Sequence, residues 1–518
     1  MTAAPAGTRS GADAISSALA ADRLGIPDVI YFVMSAAAPL TVVAGVVTTG
    51  YAVTGITGLP VAFIAVGAVL ALFSVGYVTM ARHMVNAGAF YAYVARGLGR
   101  PAGVAAAWVA LVAYNALQVG LYGALGAAAL PLLDQWLGVH PAWWIVALVA
   151  WALVGILGLM RVEVNGTILA VLLTTEIAVI LLFDAADLIH PAGGTVALDA
   201  LSPSALSSSG VGALLVIAVL GFVGFESSVV FSEESRDPRR TVPIATFLSV
   251  AIIAALYAVS SWAMTVVTGP DKIVDTARKD GAETIFNLAH AHLGGTVVDI
   301  ARVLFVTSVF AAMISFHNTT ARYIFALGRE RVLPPVFGRT GVRTGAPKAG
   351  SVSQTVLGLV VIVLYAVLGL DPLVQLFFYG GTLGGFGVLL LIAATSIAVL
   401  VFFARNQTGE NAWRRVIAPA LATICLLAIV YLAVDNFATL LGVKPSSPLR
   451  WLLPGSYLVA IAVGLMWALV LRGANADVYR RIGLGAKASS SQTVPAVAPP
   501  SRGTHSRTAT AARRGRRH

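Results

Sequence analysis

The chain has 518 residues, 58% of them hydrophobic and only 11% charged, with a mean hydropathy of +0.86. A soluble globular domain carries roughly 25% charged residues, so that class is excluded and the chain reads as an all-α integral membrane protein. The net charge of +11 does not call for a nucleic-acid partner, because the excess lies in inter-helix loops and in the tail from Gly473 to His518; the lone Cys425 leaves no disulfide framework or metal cluster.

Residues 1–25 form a cytoplasmic N-terminal segment in which 1–22 lack the apolar core of a secretory signal. Apolar runs of about 20 residues, the length that crosses a bilayer, fall near 29–51, 58–80, 102–130, 142–160, 165–186, 211–232, 244–268, 296–327, 351–369, 372–403, 416–436 and 451–472. These are helices 1 to 12 in the expected order. Cations gather on one side of this array, among them Arg82, Arg96, Arg161, Arg236, Arg322 and Arg405, whereas Lys272, Arg278, Lys279, Lys444 and Arg450 fall on the other. By the positive-inside rule both termini are cytoplasmic, and the even helix count agrees.

Helix 1 contains MSAAAPLTVVAG, where Pro39 cannot donate to the preceding turn. Helix 6 contains GFVGFES, where Gly221 and Gly224 ease unwinding and let a ligand approach the main chain. Interrupted helices at matching positions are the mark of a 5+5 inverted repeat, here residues 26–187 (helices 1–5) and 208–405 (helices 6–10). An amphipathic segment between helices 2 and 3, RHMVNAGAFYAYVARGLGR, is matched by KDGAETIFNLAHAHLGG between helices 7 and 8, and inversion puts the two on opposite faces. Helices 11 and 12, residues 413–472, lie outside the repeat and pack against it or against a second subunit as a homodimer. The tail 473–518 has too little apolar content to fold; its basic end is either plainly solvated or attracted to anionic membrane lipid.

Broken helices expose N–H groups at a positive end and carbonyls at a negative one, which suits a small zwitterion such as an amino acid. The residues at the two breaks are Ser35, Ala36, Ala37 and Ala38 in helix 1 and Gly221, Phe222, Val223, Gly224 and Phe225 in helix 6, with Phe222 and Phe225 as candidate aromatic gates. Ordinary kinks would leave the same glycines and proline.

Glu226 is a carboxylate inside an apolar segment, where charge persists only if it lines a cavity, is paired or titrates. It either links substrate to protons, since an apolar cavity disfavours its charged form and an arriving ammonium restores it, or braces the break by hydrogen bonding. Glu176, midway along helix 5, relays protons or pairs with a hydroxyl. Asn115, Gln118 and Tyr122 share a face of helix 3 and either line the pocket or bond between helices. Among the loop charges, Glu233, Glu234, Asp237, Arg239 and Arg240 form a network at the inner gate or a plain solvated surface. GLGRPAG at 97–103 has neither a preceding strand nor a P-loop lysine, so no nucleotide cofactor is expected.

These motifs resemble the amino acid, polyamine and organocation transporters, and among them the bacterial amino acid permeases. The resemblance spans about residues 25–405. It is carried by GFVGFESSVVFSEESRDPRRTVPIAT in helix 6 and its loop, NAGAFYAYVARGLGRPAG at 86–103, and NTTARYIFALGRERVLP at 318–334. Helix 1 departs from it, with SAAAP where relatives carry a glycine-rich break. The resemblance implies a secondary transporter rather than an enzyme, moving amino acids or related amines by alternating access and coupled to protons through Glu226; substrate exchange, polyamine import and a non-transporting sensor are its alternatives. Sodium coupling in this architecture uses two adjacent helix 8 hydroxyls, and Ser315 supplies one of the pair while Ile314 occupies the other position.

Overall fold

In a computed structural model, the described residues are 15–16, 19, 21–206, 210–341, 344–406 and 408–485. The expectation for the tail therefore lies, beyond Gly485, outside the described residues, as does most of the N-terminal segment. Among the described residues, eleven helices are long and apolar enough to cross a membrane: Ile26–Thr54, Leu59–His83, Arg100–Leu137, Val162–Ile189, Val211–Val229, Pro238–Thr268, Gly295–Arg329, Lys348–Leu368, Pro372–Arg405, Trp413–Asp435 and Leu449–Ala474. The shorter apolar helix Trp143–Leu159 stands between the third and fourth of these. Counting it as helix 4 gives the twelve expected helices in order, and those numbers are kept below.

The packing has a regular pattern. Helix 1 meets the second half of helix 6, helix 2 packs along helix 7, helix 3 along helix 8 and helix 4 along helix 9, so partners are five apart in the chain. Helix 5 touches helices 1, 7 and 8, and helix 10 touches helices 6, 2 and 3, which is the same set with the fives exchanged. Two copies of one five-helix unit would pack in this way. Close approach is paid for with small side chains: a Cβ on Gly384 of helix 10 would stand 2.7 Å from the Ala113 carbonyl oxygen of helix 3, and one on Gly385 would stand 2.1 Å from the Leu220 side chain of helix 6. In the GGTLGG run at 380–385, Gly384 and Gly385 thus serve the close packing of helix 10, whereas a Cβ on Gly381 would meet nothing within 4 Å.

The exposed flanks of helices 9, 11 and 12 carry Val360, Leu364, Val367, Ile424, Tyr431, Leu458, Val459 and Leu469. Such surfaces are at home in hydrocarbon and need no protein cover. Short helices cap the two ends of the bundle. Ala89–Gly97 lies beside the start of helix 3, on the face from which helix 1 begins. Ile273–Asp280 and Thr284–Leu293 lie at the other face, where the Arg278 Nε donates to the Ala52 carbonyl near the far end of helix 1.

The first face is tied down by the chain's last described residues. Asn475 caps a short helix, Ala476–Arg481, by accepting from the Val478 N–H. Beyond it the Gly483 and Gly485 N–H groups donate to the buried Glu330 carboxylate at 2.5 and 2.7 Å, a carboxylate that also accepts from Tyr91 Oη and Asn86 Nδ2.

Candidate functional site

Helix 1 breaks where its sequence demands it. Pro27 and Asp28 start the first half, with the Asp28 carboxylate accepting from the Gly25 N–H at 2.7 Å. That half ends at Ala37. A residue before proline is pushed out of the α region, and Ala38 takes φ 46°, ψ 68°. The helix resumes at Pro39, widens into a π turn over Val42–Val47 around Gly45, and ends at Thr54.

Helix 6 breaks at Val223 and at Gly224, whose φ of 115° suits glycine alone. A Cβ there would lie 2.6 Å from the Ala36 Cβ and 3.0 Å from the Ala36 carbonyl carbon. The two breaks therefore touch, and glycine is what lets them.

A cavity of about 180 Å3 opens beside this contact. Its floor is Ala36, Ala37, Ala38 and Val223; Ile217 and Leu220 of helix 6, Leu117 and Leu121 of helix 3 and Phe316 of helix 8 form the walls, with Phe377, Phe378 and Thr382 of helix 10. It continues past Thr49 to Val53, which is exposed, so it runs toward the face opposite the N terminus.

The face of the N terminus is closed. Arg322 grips the Glu234 carboxylate with two hydrogen bonds at 2.5 and 2.9 Å, holds the Asn318 carbonyl with a third, and lies over the Phe231 ring. Arg329 forks onto Glu233 with two bonds of 2.6 Å, and Glu233 also accepts from the Ala87 N–H. The Arg23 and Leu24 N–H groups donate to the Glu234 carbonyl, Phe32 stacks on Phe231 at 4.4 Å, and Ser315 Oγ donates to the Phe32 carbonyl. The first half of helix 1 and the second half of helix 6 are in this way clamped to helix 8.

A family model, "Amino acid permease", matches residues 24–463. The chain belongs to the amino acid permease family. The permease is 31% identical over 195 residues to cationic amino acid transporter 4 of Homo sapiens, covering 38% of this chain and 28% of that one. It is 28% identical over 264 residues to the chloroplastic cationic amino acid transporter 7 of Arabidopsis thaliana, 49% and 40% of the two chains. With a low-affinity putrescine importer of Escherichia coli the figures are 24% over 276 residues, 51% and 58%. The matched stretches span less than two thirds of each of these relatives.

Against this geometry, the expected binding residues of the permease divide. Ala36, Ala37, Ala38 and Val223 line the cavity; Ser35 and Gly221 are buried behind it. Phe222 packs near Phe63 and Tyr257, and Phe225 sets its edge on Phe73. Helix 6 shows Ile217, Leu220 and Val223 to the cavity, a spacing of three that turns both phenylalanines away, so the aromatic wall is Phe316, Phe377 and Phe378 instead. On helix 3, Asn115 Nδ2 bonds back to the Leu111 carbonyl and Gln118 Nε2 to Tyr122 Oη, both away from the cavity wall that Leu117 and Leu121 form.

Glu226 is buried behind the wall, accepting from Tyr114 Oη at 2.8 Å and from the Gly224 N–H at 2.9 Å. Glu176 accepts from the Leu40 N–H, at the start of the second half of helix 1, and from Ser308 Oγ, which also takes a bond from Thr41 Oγ1. His317 Nε2 bonds with Ser351 Oγ on helix 9. Of the five loop charges read as one network, Glu233 and Glu234 turn inward to helix 8, while Asp237, Arg239 and Arg240 are exposed.

Two groups were missed. Tyr114 lies one turn before Gln118 on the same face of helix 3, a spacing that the sequence carries. Asp184 and Asp187 are buried on helix 5; Ser260 Oγ donates to Asp184 at 2.8 Å. They fall at the predicted helix end, although their spacing from Glu176, eight and eleven residues, puts all three on one face.

Proposed function

We propose that this permease is a secondary active transporter of amino acids or related amines in a cell membrane, working by alternating access between two repeats, residues 26–187 and 208–405. The observation that carries the reading is the meeting of two broken helices at Gly224 and Ala36, beside a cavity that reaches one face while paired charges seal the other. Opening the sealed face requires Glu233 and Glu234 to part from Arg329 and Arg322. The arginine-rich face is the cytoplasmic one, with both termini on it.

Proton coupling is the reading for Glu226. It is fully buried and held by one hydroxyl and one amide at the very break that must move. A proton gained or lost there changes the bonds that fix the Gly224 turn. Glu176 stands in the same relation to helix 1, and Ser315 serves as a brace to Phe32 in this conformation, with a role as a sodium ligand resting on its release. The names of the relatives point to cationic amino acids and putrescine as the first substrates to try.

Uptake of radiolabelled amino acids and amines into proteoliposomes tests this directly, with an inward proton gradient and no sodium. Accumulation that collapses with a protonophore is the expected result. Accumulation that needs sodium and ignores the proton gradient would sink the coupling assignment, and binding without flux would make the protein a sensor.

A further inference from the structure

Glu330 is the first residue beyond helix 8, and it is wholly buried. Its neighbour Arg329 forks onto Glu233 in the seal. The Glu330 carboxylate itself accepts from Tyr91 Oη, from Asn86 Nδ2 and from the Gly483 and Gly485 N–H groups. A carboxylate taken out of water needs such donors, and two of them come from 153 and 155 residues further along the chain.

The seat is cut to glycine. Gly483 and Gly485 take φ 79° and 61°. A Cβ on Gly483 would lie 3.0 Å from the Ala95 Cβ, and one on Gly485 would lie 2.9 Å from Asn86 Nδ2. A side chain at either position would strain the backbone and push the segment off its seat. The turn before it is anchored as well: Val478 and Ile482 are buried, and Arg100 donates to the Arg480 carbonyl at 3.3 Å and lies over the Tyr479 ring.

The loop beneath this segment belongs to the seal. Asn86 gives its side-chain amide to Glu330, and the next residue, Ala87, gives its N–H to Glu233. Beside them Ala89 stands at φ 36°, a conformation that costs a residue with a side chain and persists only where its surroundings impose it. Opening this face parts Glu233 from Arg329, and the loop can then keep only one of its two carboxylates. The docked segment weights that choice toward Glu330, because Gly485 closes over Asn86 while its N–H shares the same carboxylate. With the segment in place, opening must therefore also break the bond from Ala87 to Glu233.

We propose that residues 482–485 are a latch: docked on Glu330 they hold the closed face shut, and once released they let it open. The inference rests on the alternating-access reading, in which this face opens.

The test times opening with a reporter thiol. Ser232, buried between Phe231 and Glu233 in the chain, is replaced in the full-length protein (Ser232→Cys with Cys425→Ser), and its alkylation by a water-soluble maleimide is followed in detergent. Gly483→Ala with Gly485→Ala unseats the latch and should speed alkylation by about tenfold or more, the size of one hydrogen bond to a charged group. Gly473→Ala on helix 12, whose Cβ would meet nothing within 4 Å, should leave the rate unchanged. A second pair, Asn86→Cys with Gly485→Cys, ties the latch down. A Cβ on Gly485 would stand 3.3 Å from the Asn86 Cβ, close to the span of about 3.5–4.5 Å that a disulfide bridges, and Asn86→Cys removes the amide it would strike. The oxidised pair should be alkylated at residue 232 about tenfold or more slowly than the same protein reduced, with the modified peptide quantified by mass spectrometry. Equal rates in the oxidised and reduced forms overturn the latch and leave the opening of the face intact, even if the alanine pair fails to fold. A pair that does not oxidise shows that the segment is not seated on Asn86, which also overturns it. A reporter that is alkylated in none of these proteins overturns the alternating-access reading itself.

Discussion

Replacing Gly224 with alanine attacks the contact on which the site depends. The added Cβ would start 2.6 Å from the Ala36 Cβ, and two carbon atoms rest at about 3.5–4.0 Å, so helices 1 and 6 must separate by roughly 1 Å or the turn must rotate. The backbone at φ 115° adds about 1–2 kcal/mol for any residue with a side chain, and overpacking of this kind costs about 1–3 kcal/mol. Together, about 2–5 kcal/mol is lost from this conformation, a population shift of roughly 30-fold to a few thousand-fold. Proteoliposome uptake should fall by at least about tenfold, and the melting temperature of the purified protein should drop. Gly455→Ala on helix 12 is the control, because its Cβ would meet nothing within 4 Å. Gly224→Ala protein that transports and melts like wild type would refute the claim that the breaks touch here.

Arg322→Ala leaves the Glu234 carboxylate buried and unpaired, and should cost about 3–5 kcal/mol in unfolding experiments; equal stability of variant and wild type would show that the pair is not buried as described. A double-mutant cycle on Arg329 and Glu233 should give a coupling of about 1.5 kcal/mol or more, and a value near zero would mean that the fork is not formed. Glu226→Gln preserves an acceptor for the Gly224 N–H and should fold normally, yet accumulate nothing under a proton gradient while still exchanging internal for external substrate; gradient-driven uptake by this variant would remove Glu226 from the coupling. Gly97→Ala places a Cβ 2.2 Å from the Ala398 carbonyl oxygen and should destabilise the fold by about 1–3 kcal/mol, read as a lower melting temperature.

What could be read in advance was local in the chain. Twelve apolar runs, the proline that ends the first half of helix 1 and the glycine that turns helix 6 each announce themselves within a few residues. Which side chain faces the cavity depends on helix rotation, and on helix 3 a single residue separates Gln118 from the Leu117 that does the lining. Partners are further still from view. Nothing near Glu234 in sequence indicates Arg322, and the neighbouring charges Arg239 and Arg240 are the more obvious candidates until the fold turns them to solvent. Asp184 and Asp187 straddle the end predicted for helix 5 at 186, whereas the helix runs on to Ile189. Glu176 was legible as an intramembrane acid, but its hold on Leu40 joins groups 136 residues apart.

The clamp on the closed face also has a schedule. Glu234 and Arg322 are 88 residues apart, and Glu233 and Arg329 are 96. At a synthesis rate of about 5–20 residues per second, the two glutamates leave the ribosome roughly 4–20 s before their arginines. For that interval helices 1 to 7 exist without the ion pairs that later bind them to helix 8. An unfinished chain consequently lacks this part of the seal while it is being made, and arrival of the last turns of helix 8 completes it.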